Sequence, residues 1–281
     1  MIVTAVRATL LLALGIAILV TPVAEGTTPR NAAPANDASL QAELEGYISG
    51  LNGTYGVAAI NLNDGSGVFV NEEMLFPTAS MYKLLVMYRV YEAMESGSLS
   101  PEDTLTIASE DYIGGADAIF APGDAVTVGS ALEAMITQSS NAAAYALARA
   151  VGGWDVVISA AGELGMSNTV FDGDFFSTPT DMARFFRLLA GRSLVSPSAS
   201  NQMIDLLLGQ MTNDRIPALL PADAQVAHKT GELPGVRNDG GIVSGAGGRY
   251  IIVVMSQSGD PEEQVPAEAE ISRMVYEAFG S

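Results

Sequence analysis

The sequence predicts an α+β fold: an antiparallel sheet with flanking helices, and an all-helical lobe inserted between its strands. Segments with strand character lie towards both ends of the chain and are joined by short turns, which implies hairpins and antiparallel pairing. Segments with helical spacing occupy the middle. Apolar residues make up 48% of the 281 residues and charged residues 16%, so the chain can build a sizeable core and lacks the composition of a disordered protein.

The individual elements follow from residue spacing and from turn residues. Apolar residues at i, i+4 and i+8 predict a helix over Leu40–Ser49. A hairpin is predicted around Asp64-Gly65, between "TYGVAAINL" and "VFVN". Helical spacing with glycine stops predicts four helices in the middle of the chain, at Ser80–Ser96, Val128–Thr137, Asn141–Val151 and Thr180–Leu189. Three strands and a closing helix are predicted after Pro221, at 224–231, 239–245, 249–257 and Pro266–Phe279.

Residues 1–26 are predicted to be a signal peptide, because an arginine precedes the apolar run Ala8–Val20 and small residues follow it. An uncleaved N-terminal anchor is the alternative, and in both cases the protein is exported, to the periplasm or the extracellular space. Residues 27–39 are rich in Pro, Ala and Asn and are predicted to be a linker. The remainder is predicted to be one domain, 40–281, with a sheet lobe (40–77 and 195–281) and a helical lobe (78–194).

Composition excludes several classes of function. The chain has no cysteine, which excludes disulfides, thiol nucleophiles and thiolate metal sites. Its single histidine, His228, cannot form a multi-histidine metal site and is predicted to lie in the core or behind the site. A net charge of −19 argues against a nucleic-acid surface. A carboxylate-only calcium or magnesium site is the remaining alternative, but the sequence has no EF-hand-like spacing, and no cofactor and no metal are predicted.

Ser80 and Lys83 form the first of three short motifs, in "PTASMYKLLVMY". Positions i and i+3 share one face of a helix, so the hydroxyl and the amine can meet there. Serine is a weak nucleophile without an adjacent base, and lysine acts as one when burial or a neighbouring cation lowers its pKa. The chain has only two lysines. Taken alone, the pair also fits a capping serine followed by a solvent-exposed lysine.

The second lysine belongs to Lys229-Thr230-Gly231, at the end of a predicted strand. A point charge beside a hydroxyl suits a substrate carboxylate, and the glycine leaves room along the strand edge. Between the two lysines, Ser139-Ser140-Asn141 marks a break between helices. Its outer serine can relay a proton and its amide can hold a carbonyl group, although the same residues suit a helix N-cap.

The ordered set S-x-x-K, S-x-N, K-T-G resembles that of class A β-lactamases and penicillin-binding proteins. The resemblance extends to "LEAMITQSSNAAAYALARAVGG", "STPTDMARFFRLL" and "AHKTGELPGVRNDGGIV" and covers roughly residues 40 to 279. It implies a β-lactamase/transpeptidase-like fold and a catalytic domain over 40–281.

The resemblance also implies a role for each motif residue. Ser80 is the acylated nucleophile, Lys83 its base or proton relay, and Ser139 passes a proton to the leaving nitrogen. Lys229 and Thr230 of the K-T-G motif, which Gly231 completes, hold the substrate carboxylate. Asn141 binds the amide of the acyl side chain, and the backbone N–H groups of Ser80 and Glu232 form the oxyanion hole.

Two positions depart from the class A pattern. Ser140 replaces the aspartate of S-D-N, where a modest consequence is expected. More seriously, "VFDGDFF" (Val170–Phe176) lacks the glutamate that activates the deacylating water in class A enzymes. Asp172 and Asp174 are the available stand-ins, although both also fit turn positions beside Gly173. Two further cleft candidates are Tyr112 and Arg237.

The sequence thus predicts an exported monomeric serine hydrolase that is acylated at Ser80 by β-lactams and hydrolyses the lactam amide, a function of antibiotic resistance. Its partner is a small β-lactam or a cell-wall peptide, with no nucleic acid and no membrane beyond the leader. The alternatives are a D-Ala-D-Ala carboxypeptidase or esterase with the same machinery, and a binding or sensor domain that is acylated without turnover.

Overall fold

The computed structural model describes residues 37–112 and 119–280. The predicted signal peptide (1–26) and most of the predicted linker lie outside these residues. The strands are β1 Thr54–Asn61, β2 Gly67–Val70, β3 Phe76–Pro77, β4 Thr104–Thr106, β5 Ala125–Thr127, β6 Val170–Phe171, β7 Phe175–Ser177, β8 Gln225–Leu233, β9 Val236–Gly245 and β10 Gly248–Gln257. The helices are α1 Ala38–Ile48, α2 Lys83–Glu95, α3 Val128–Thr137, α4 Asn141–Ala150, α5 Trp154–Glu163, α6 Pro179–Ala190, α7 Pro197–Leu208 and α8 Pro261–Phe279.

The principal sheet has five strands in the order β2-β1-β10-β9-β8. Its register pairs Val57 with Val254 and Lys229 with Gly240, in antiparallel ladders. The predicted α+β class with an antiparallel sheet and flanking helices is confirmed. Because β8 is the last strand of this sheet, one of its edges has no strand partner among the described residues, and β8 contacts the 3₁₀ turn Ala79–Tyr82.

Both faces of the sheet are buried, which explains why β10 reads as an almost uninterrupted apolar run. Alternate residues such as Ile251 and Val253 belong to the core shared with α2, α3, α4 and α6. Their neighbours, among them Ile252 and Val254, pack against α1 and α8 on the other face. A sheet covered on both faces selects apolar residues at every position rather than at alternate ones. The site-bearing strand β8 is thereby fixed from both sides.

Several elements differ from the sequence prediction. The helix predicted to begin at Ser80 opens as the 3₁₀ turn, and α2 itself begins at Lys83. The closing helix begins at Pro261 and carries Pro266 in its interior. Helices α5 and α7 were not predicted, and α7 packs against α3, α6 and β8. The small strands β3, β6 and β7 form a second sheet, in the order β3-β7-β6.

In the part of the chain that the structure describes, no helix is long and apolar enough to cross a bilayer.

Phe185→Ala should destabilise the protein by about 3–5 kcal/mol, because the ring on α6 is fully buried against Phe186 and its loss leaves a cavity. The measurement is the urea midpoint by circular dichroism. Phe171→Ala is the matched control, since that ring is 50% exposed. Equal losses of stability in the two variants would contradict this description of the core.

Candidate active site

Ser80 lies half-buried on the 3₁₀ turn that precedes α2. The segment before it is fastened to the sheet by Asn238 of β9, whose Nδ2 donates to the carbonyl oxygens of Pro77 (2.8 Å) and Thr78 (3.1 Å). Asn238 is fully buried, and a buried amide with these partners costs free energy to displace. The predicted nucleophile is thus held by the sheet as well as by the start of its own helix.

Lys83, the first residue of α2, directs its amine into a cluster of oxygen atoms. Its Nζ lies 3.0 Å from Ser80 Oγ and 2.7 Å from Asn141 Oδ1. It also lies 2.6 Å from the carbonyl oxygen and 3.1 Å from the Oγ of Ser139. The side chain is 0% exposed. One buried amine therefore joins the predicted nucleophile to the break between α3 and α4.

Lys229 approaches Ser139 from the opposite side, out of the edge strand β8. Its Nζ lies 3.1 Å from Ser139 Oγ and 2.9 Å from the carbonyl oxygen of Thr230. The pKa of Lys229 is lowered to about 7, chiefly by burial and in smaller part by the positive charge of Arg215, against the opposing negative charges of Asp239 and Glu232. At neutral pH this amine is therefore divided between its charged and neutral forms.

Together these contacts form a continuous chain of proton donors and acceptors. It runs from Ser80 Oγ through Lys83 Nζ and Ser139 Oγ to Lys229 Nζ, with steps of 3.0, 3.1 and 3.1 Å. Each step is within the range for proton transfer between hydrogen-bonded groups. The predicted catalytic residues are brought together in one cluster.

Backbone strain is concentrated at the same place. Ala79, directly before Ser80, has φ 46°, and Ser139 has φ 61°. Non-glycine residues in this region cost about 1–3 kcal/mol and persist where surrounding contacts hold them. Next to Ser139, Ser140 caps α4 by accepting a hydrogen bond from Ala143 N (3.1 Å). The serine that replaces the expected aspartate is thus a helix cap.

Gly231 permits the closest approach of β8 to the nucleophile. A Cβ at this position would lie 2.6 Å from the Thr78 carbonyl oxygen, 3.1 Å from Ala79 Cβ and 3.2 Å from Ser80 N. Only glycine therefore fits here without a shift of the strand. The predicted oxyanion hole consists of two backbone N–H groups, that of Ser80 in the 3₁₀ turn and that of Glu232 in β8. These are the two segments that approach each other at Gly231.

The segment 170–177 is a tight hairpin between β6 and β7. Asp172 N donates to the Asp174 carbonyl oxygen (2.9 Å), and Gly173 between them has φ 74°. Asp174 Oδ1 accepts a hydrogen bond from Phe175 N (2.8 Å), and both carboxylates are exposed. The two aspartates serve as turn residues here, and their predicted role in deacylation stays a prediction.

An aromatic group lies between this hairpin and the nucleophile turn, the 3₁₀ turn Ala79–Tyr82 that carries the predicted nucleophile Ser80. The ring of Tyr82, two residues after Ser80, stacks on Phe175 at 5.1 Å and meets Trp154 edge-on at 5.7 Å. Tyr145 extends the group through Trp154, at 4.9 Å. Apolar rings therefore cover the hairpin side of the nucleophile turn.

The two further cleft candidates occupy different surroundings. Tyr112 is half-buried and packs against Ile107 and Ala142, the residue after Asn141. Arg237 is the second residue of β9, and its Nη1 reaches back to donate to the carbonyl oxygens of Leu233 (2.9 Å) and Val236 (2.8 Å).

Sequence reasoning missed a charged network behind β8. Arg215, 1% exposed, forms an ion pair with Glu232 and lies 3.9 Å from the fully buried Glu268 of α8. His228 Nδ1 lies 2.8 Å from Asp239 Oδ1, so the predicted buried position of this histidine is correct. The available signal was a lone arginine within the apolar loop "RIPALLP".

The described residues contain no group of three or more His, Cys, Asp or Glu arranged to hold a metal ion. An α+β fold with these groups at the edge of its antiparallel sheet is the arrangement typical of penicillin-recognising proteins.

Comparison with known proteins assigns the family. Residues 39–279 match the family model Beta-lactamase2, described as the beta-lactamase enzyme family. The chain belongs to this family, within the class A β-lactamases and penicillin-recognising proteins.

Individual relatives are distant but cover nearly the whole chain. A β-lactamase of Streptomyces fradiae is 26% identical in an alignment of 298 positions, gaps counted, which covers 97% of this chain and 96% of the relative. A PBP-A variant, solved as an acyl-enzyme complex with penicillin G, is 27% identical with TM-score 0.83, covering 89% of this chain and 99% of its own. An ancestral class A β-lactamase is 28% identical with TM-score 0.80, covering 85% and 100%. The resemblance and the fold predicted from the motifs are confirmed.

Gly231→Ala should slow the labelling of Ser80 by penicillin G about 100-fold, because the methyl group must push β8 away from the nucleophile turn. Intact-mass spectrometry over time measures the rate. Gly46→Ala, whose Cβ would meet no atom within 4 Å, is the control and should label like wild type. Normal labelling of the Gly231 variant would contradict the close approach described above.

Proposed function

We propose that this protein is a serine hydrolase that is acylated at Ser80 by β-lactams and hydrolyses their lactam amide. The observation that carries the proposal is the buried hydrogen-bonded chain Ser80–Lys83–Ser139–Lys229. A serine hydroxyl 3.0 Å from a fully buried amine has the base that nucleophilic catalysis requires.

In the acylation step, Ser80 Oγ attacks the lactam carbonyl carbon while its proton passes to Lys83 Nζ. The carbonyl π-electrons move to oxygen, and the N–H groups of Ser80 and Glu232 stabilise the resulting oxyanion. The carbonyl then re-forms and the C–N bond breaks, as a proton travels from Lys83 through Ser139 Oγ to the leaving nitrogen. The products are an ester on Ser80 and a secondary amine.

Substrate binding is assigned to groups at the two sides of this chain. Lys229 and Thr230, on the edge strand, hold the carboxylate that β-lactams and D-Ala-D-Ala peptides share. Asn141 is exposed at the start of α4 and holds the acyl side-chain amide. The penicillin G acyl-enzyme of the PBP-A variant supports a penicillin as substrate of this chain as well.

A second candidate function is favoured by the hairpin at 170–177. It carries no glutamate, and its Phe175 ring stacks on Tyr82, so Asp172 and Asp174 are the carboxylates that it offers as a base for deacylation. An acyl-enzyme that forms readily and is released slowly is the behaviour of a penicillin-binding D-Ala-D-Ala carboxypeptidase or of a sensor. The missing glutamate affects only the release of the acyl group, so acylation of Ser80 is expected for both candidate functions.

We also propose that residues 1–26 direct export and that the protein acts as a monomer. The proposal of export rests on the apolar run Ala8–Val20 that follows an arginine, and on the proposed function, whose substrates lie outside the cytoplasm. The proposal of a monomer rests on the single catalytic domain that the sequence predicts.

Mixing the purified protein with a chromogenic cephalosporin separates the two candidates. Continuous colour development supports the β-lactamase, because each Ser80 must then be acylated and freed repeatedly. A one-to-one adduct in the intact mass that persists, and that Ser80→Ala abolishes, supports the penicillin-binding function. Absence of both colour and adduct would refute β-lactam recognition at Ser80.

Acylation by penicillin G should become slower as pH rises through about 7, because Lys229 then loses the charge that holds the substrate carboxylate. Below pH 7 the ammonium form dominates and binding is strongest. The second-order rate constant between pH 6 and 9 measures this. In Lys229→Arg the alkaline decline should disappear, since guanidinium stays protonated; an identical decline would assign it to another group.

A further inference from the structure

Ser256 of β10 links the last helix to the segment that leads into the nucleophile turn. Its backbone N–H donates to Asn238 Oδ1 (3.1 Å). The same amide donates through Nδ2 to the carbonyl oxygens of Pro77 and Thr78, the two residues before the turn. The Ser256 hydroxyl lies 2.7 Å from the carbonyl oxygen of Arg237, the residue before Asn238. Ser256 therefore fixes β9 at the point where Asn238 holds this segment.

Two side chains of α8 meet the Ser256 hydroxyl from the helix side. Gln264 Nε2 donates to Ser256 Oγ (3.1 Å) and to the carbonyl oxygen of Gly235 (3.1 Å). Glu268, one helical turn further along α8, has its Oε1 3.0 Å from the same Oγ. The side chains of Ser256, Gln264 and Glu268 are all 0% exposed. Because buried polar groups have to find their partners within the protein, the donors and acceptors of this group must balance.

This balance requires a proton on Glu268. A serine hydroxyl has one hydrogen to donate and two lone pairs with which to accept. The shortest contact of Ser256 Oγ is with the carbonyl oxygen of Arg237, and it takes the hydrogen because a carbonyl oxygen can only accept. Gln264 Nε2 takes one lone pair. The remaining contact, with Glu268 Oε1, is a hydrogen bond when the carboxyl group donates, whereas a carboxylate would place two acceptors against each other.

The surroundings of Glu268 also favour the uncharged acid. Its Oε2 has no hydrogen-bond partner among the described residues, and Arg215 Nε lies 3.9 Å from it. Arg215 already has acidic neighbours in Glu232, Asp214 and Asp239. Burial raises the pKa of Glu268 well above its usual range, with the charge of Arg215 opposing the shift. An ionised Glu268 would add a further buried negative charge with one oxygen unpaired, which is costly.

We propose, resting on the acylation of Ser80 proposed above, that Glu268 is a positioning residue that acts as an uncharged carboxylic acid. It donates to Ser256 Oγ, and Ser256 in turn holds Asn238 in the orientation that binds the segment before the nucleophile turn. Glu268 touches neither the substrate nor the reacting atoms. Its loss lets the turn shift, so that the attack of Ser80 becomes slower while the groups that bind substrate stay in place.

The limiting rate of Ser80 acylation at saturating penicillin G, followed by intact mass, measures this positioning separately from substrate affinity. Glu268→Leu removes the donor and should lower the limiting rate about tenfold at an unchanged half-saturating concentration, because a small displacement of a nucleophile has a large kinetic effect. Glu268→Gln keeps an uncharged donor at the same place and should be acylated like wild type. Glu270→Gln is the control and should also behave like wild type, since this carboxylate of α8 is paired with Arg273.

A double variant tests whether Glu268 acts through Ser256. Ser256→Ala should lower the limiting rate to a similar extent, and adding Glu268→Leu to it should cause no further loss, because both substitutions break the same chain of contacts. If the two losses multiply instead, Glu268 acts by another route, such as Arg215, and the inference is wrong.

Infrared spectra of the wild-type protein test the protonation of Glu268 without depending on how a variant folds. At neutral pH they should contain the carbonyl band of a protonated carboxylic acid, and this band should disappear in Glu268→Gln. Absence of the band, or its persistence in that variant, would overturn the inference.

Two kinetic results would overturn it as well and leave the proposed function intact. One is a normal limiting rate in Glu268→Leu that is folded by circular dichroism. The other is a folded Glu268→Gln as slow as Glu268→Leu, which would show that a charge and not a donated proton is needed. If penicillin G does not acylate the wild-type protein, the proposed function fails, and the positioning role falls with it whatever the infrared result.

Discussion

The arrangement of the site depends on the buried amine of Lys83. Removing an amine from water is costly unless polar partners surround it, and here the surrounding oxygens come from the nucleophile turn, the α3–α4 junction and the start of α4. Satisfying one side chain therefore fixes the relative positions of three segments. The strained backbone of Ser139 is held at this junction, where its carbonyl and hydroxyl oxygens both face the amine.

The sheet contributes the second half of the site. Because β10 is covered on both faces, the sheet cannot shift towards either layer without opening a cavity. Asn238 transmits this rigidity to the nucleophile by binding the carbonyl oxygens of Pro77 and Thr78. Catalytic groups that must meet within about 0.5 Å of their working positions benefit from a support of this kind.

Much of the fold and of the candidate site could be predicted from the sequence, because rare residues and regular spacing gave local signals. Ser80, Lys83 and Lys229 stood out because a chain with two lysines places both in an ordered motif set. Long periodic segments such as α3 were located to the residue. In each case a local signal of spacing or of rare residues was sufficient.

The elements that were missed lacked a local signal or had a weak one. Helix α5 follows Gly153, which offers no capping side chain. Helix α7 opens with the weak helix formers of "PSASN", although Ala199, Met203 and Leu207 do keep helical spacing. The partners of Arg215 come from separate parts of the sequence, Glu232 on β8 and Glu268 on α8. Only the folded chain brings these charges together.

The burial of both lysines has a consequence for the surface of the protein. Lys83 and Lys229 are the chain's only lysines and each is 0% exposed, so the folded domain presents no side-chain amine to solvent and its exposed cations are guanidinium groups. Reagents that acylate free amines, such as succinimidyl dyes, thus have no side-chain target until the fold opens. Dye incorporation beyond the single α-amine of the N-terminus would then report unfolding of the active site itself, without any engineered probe.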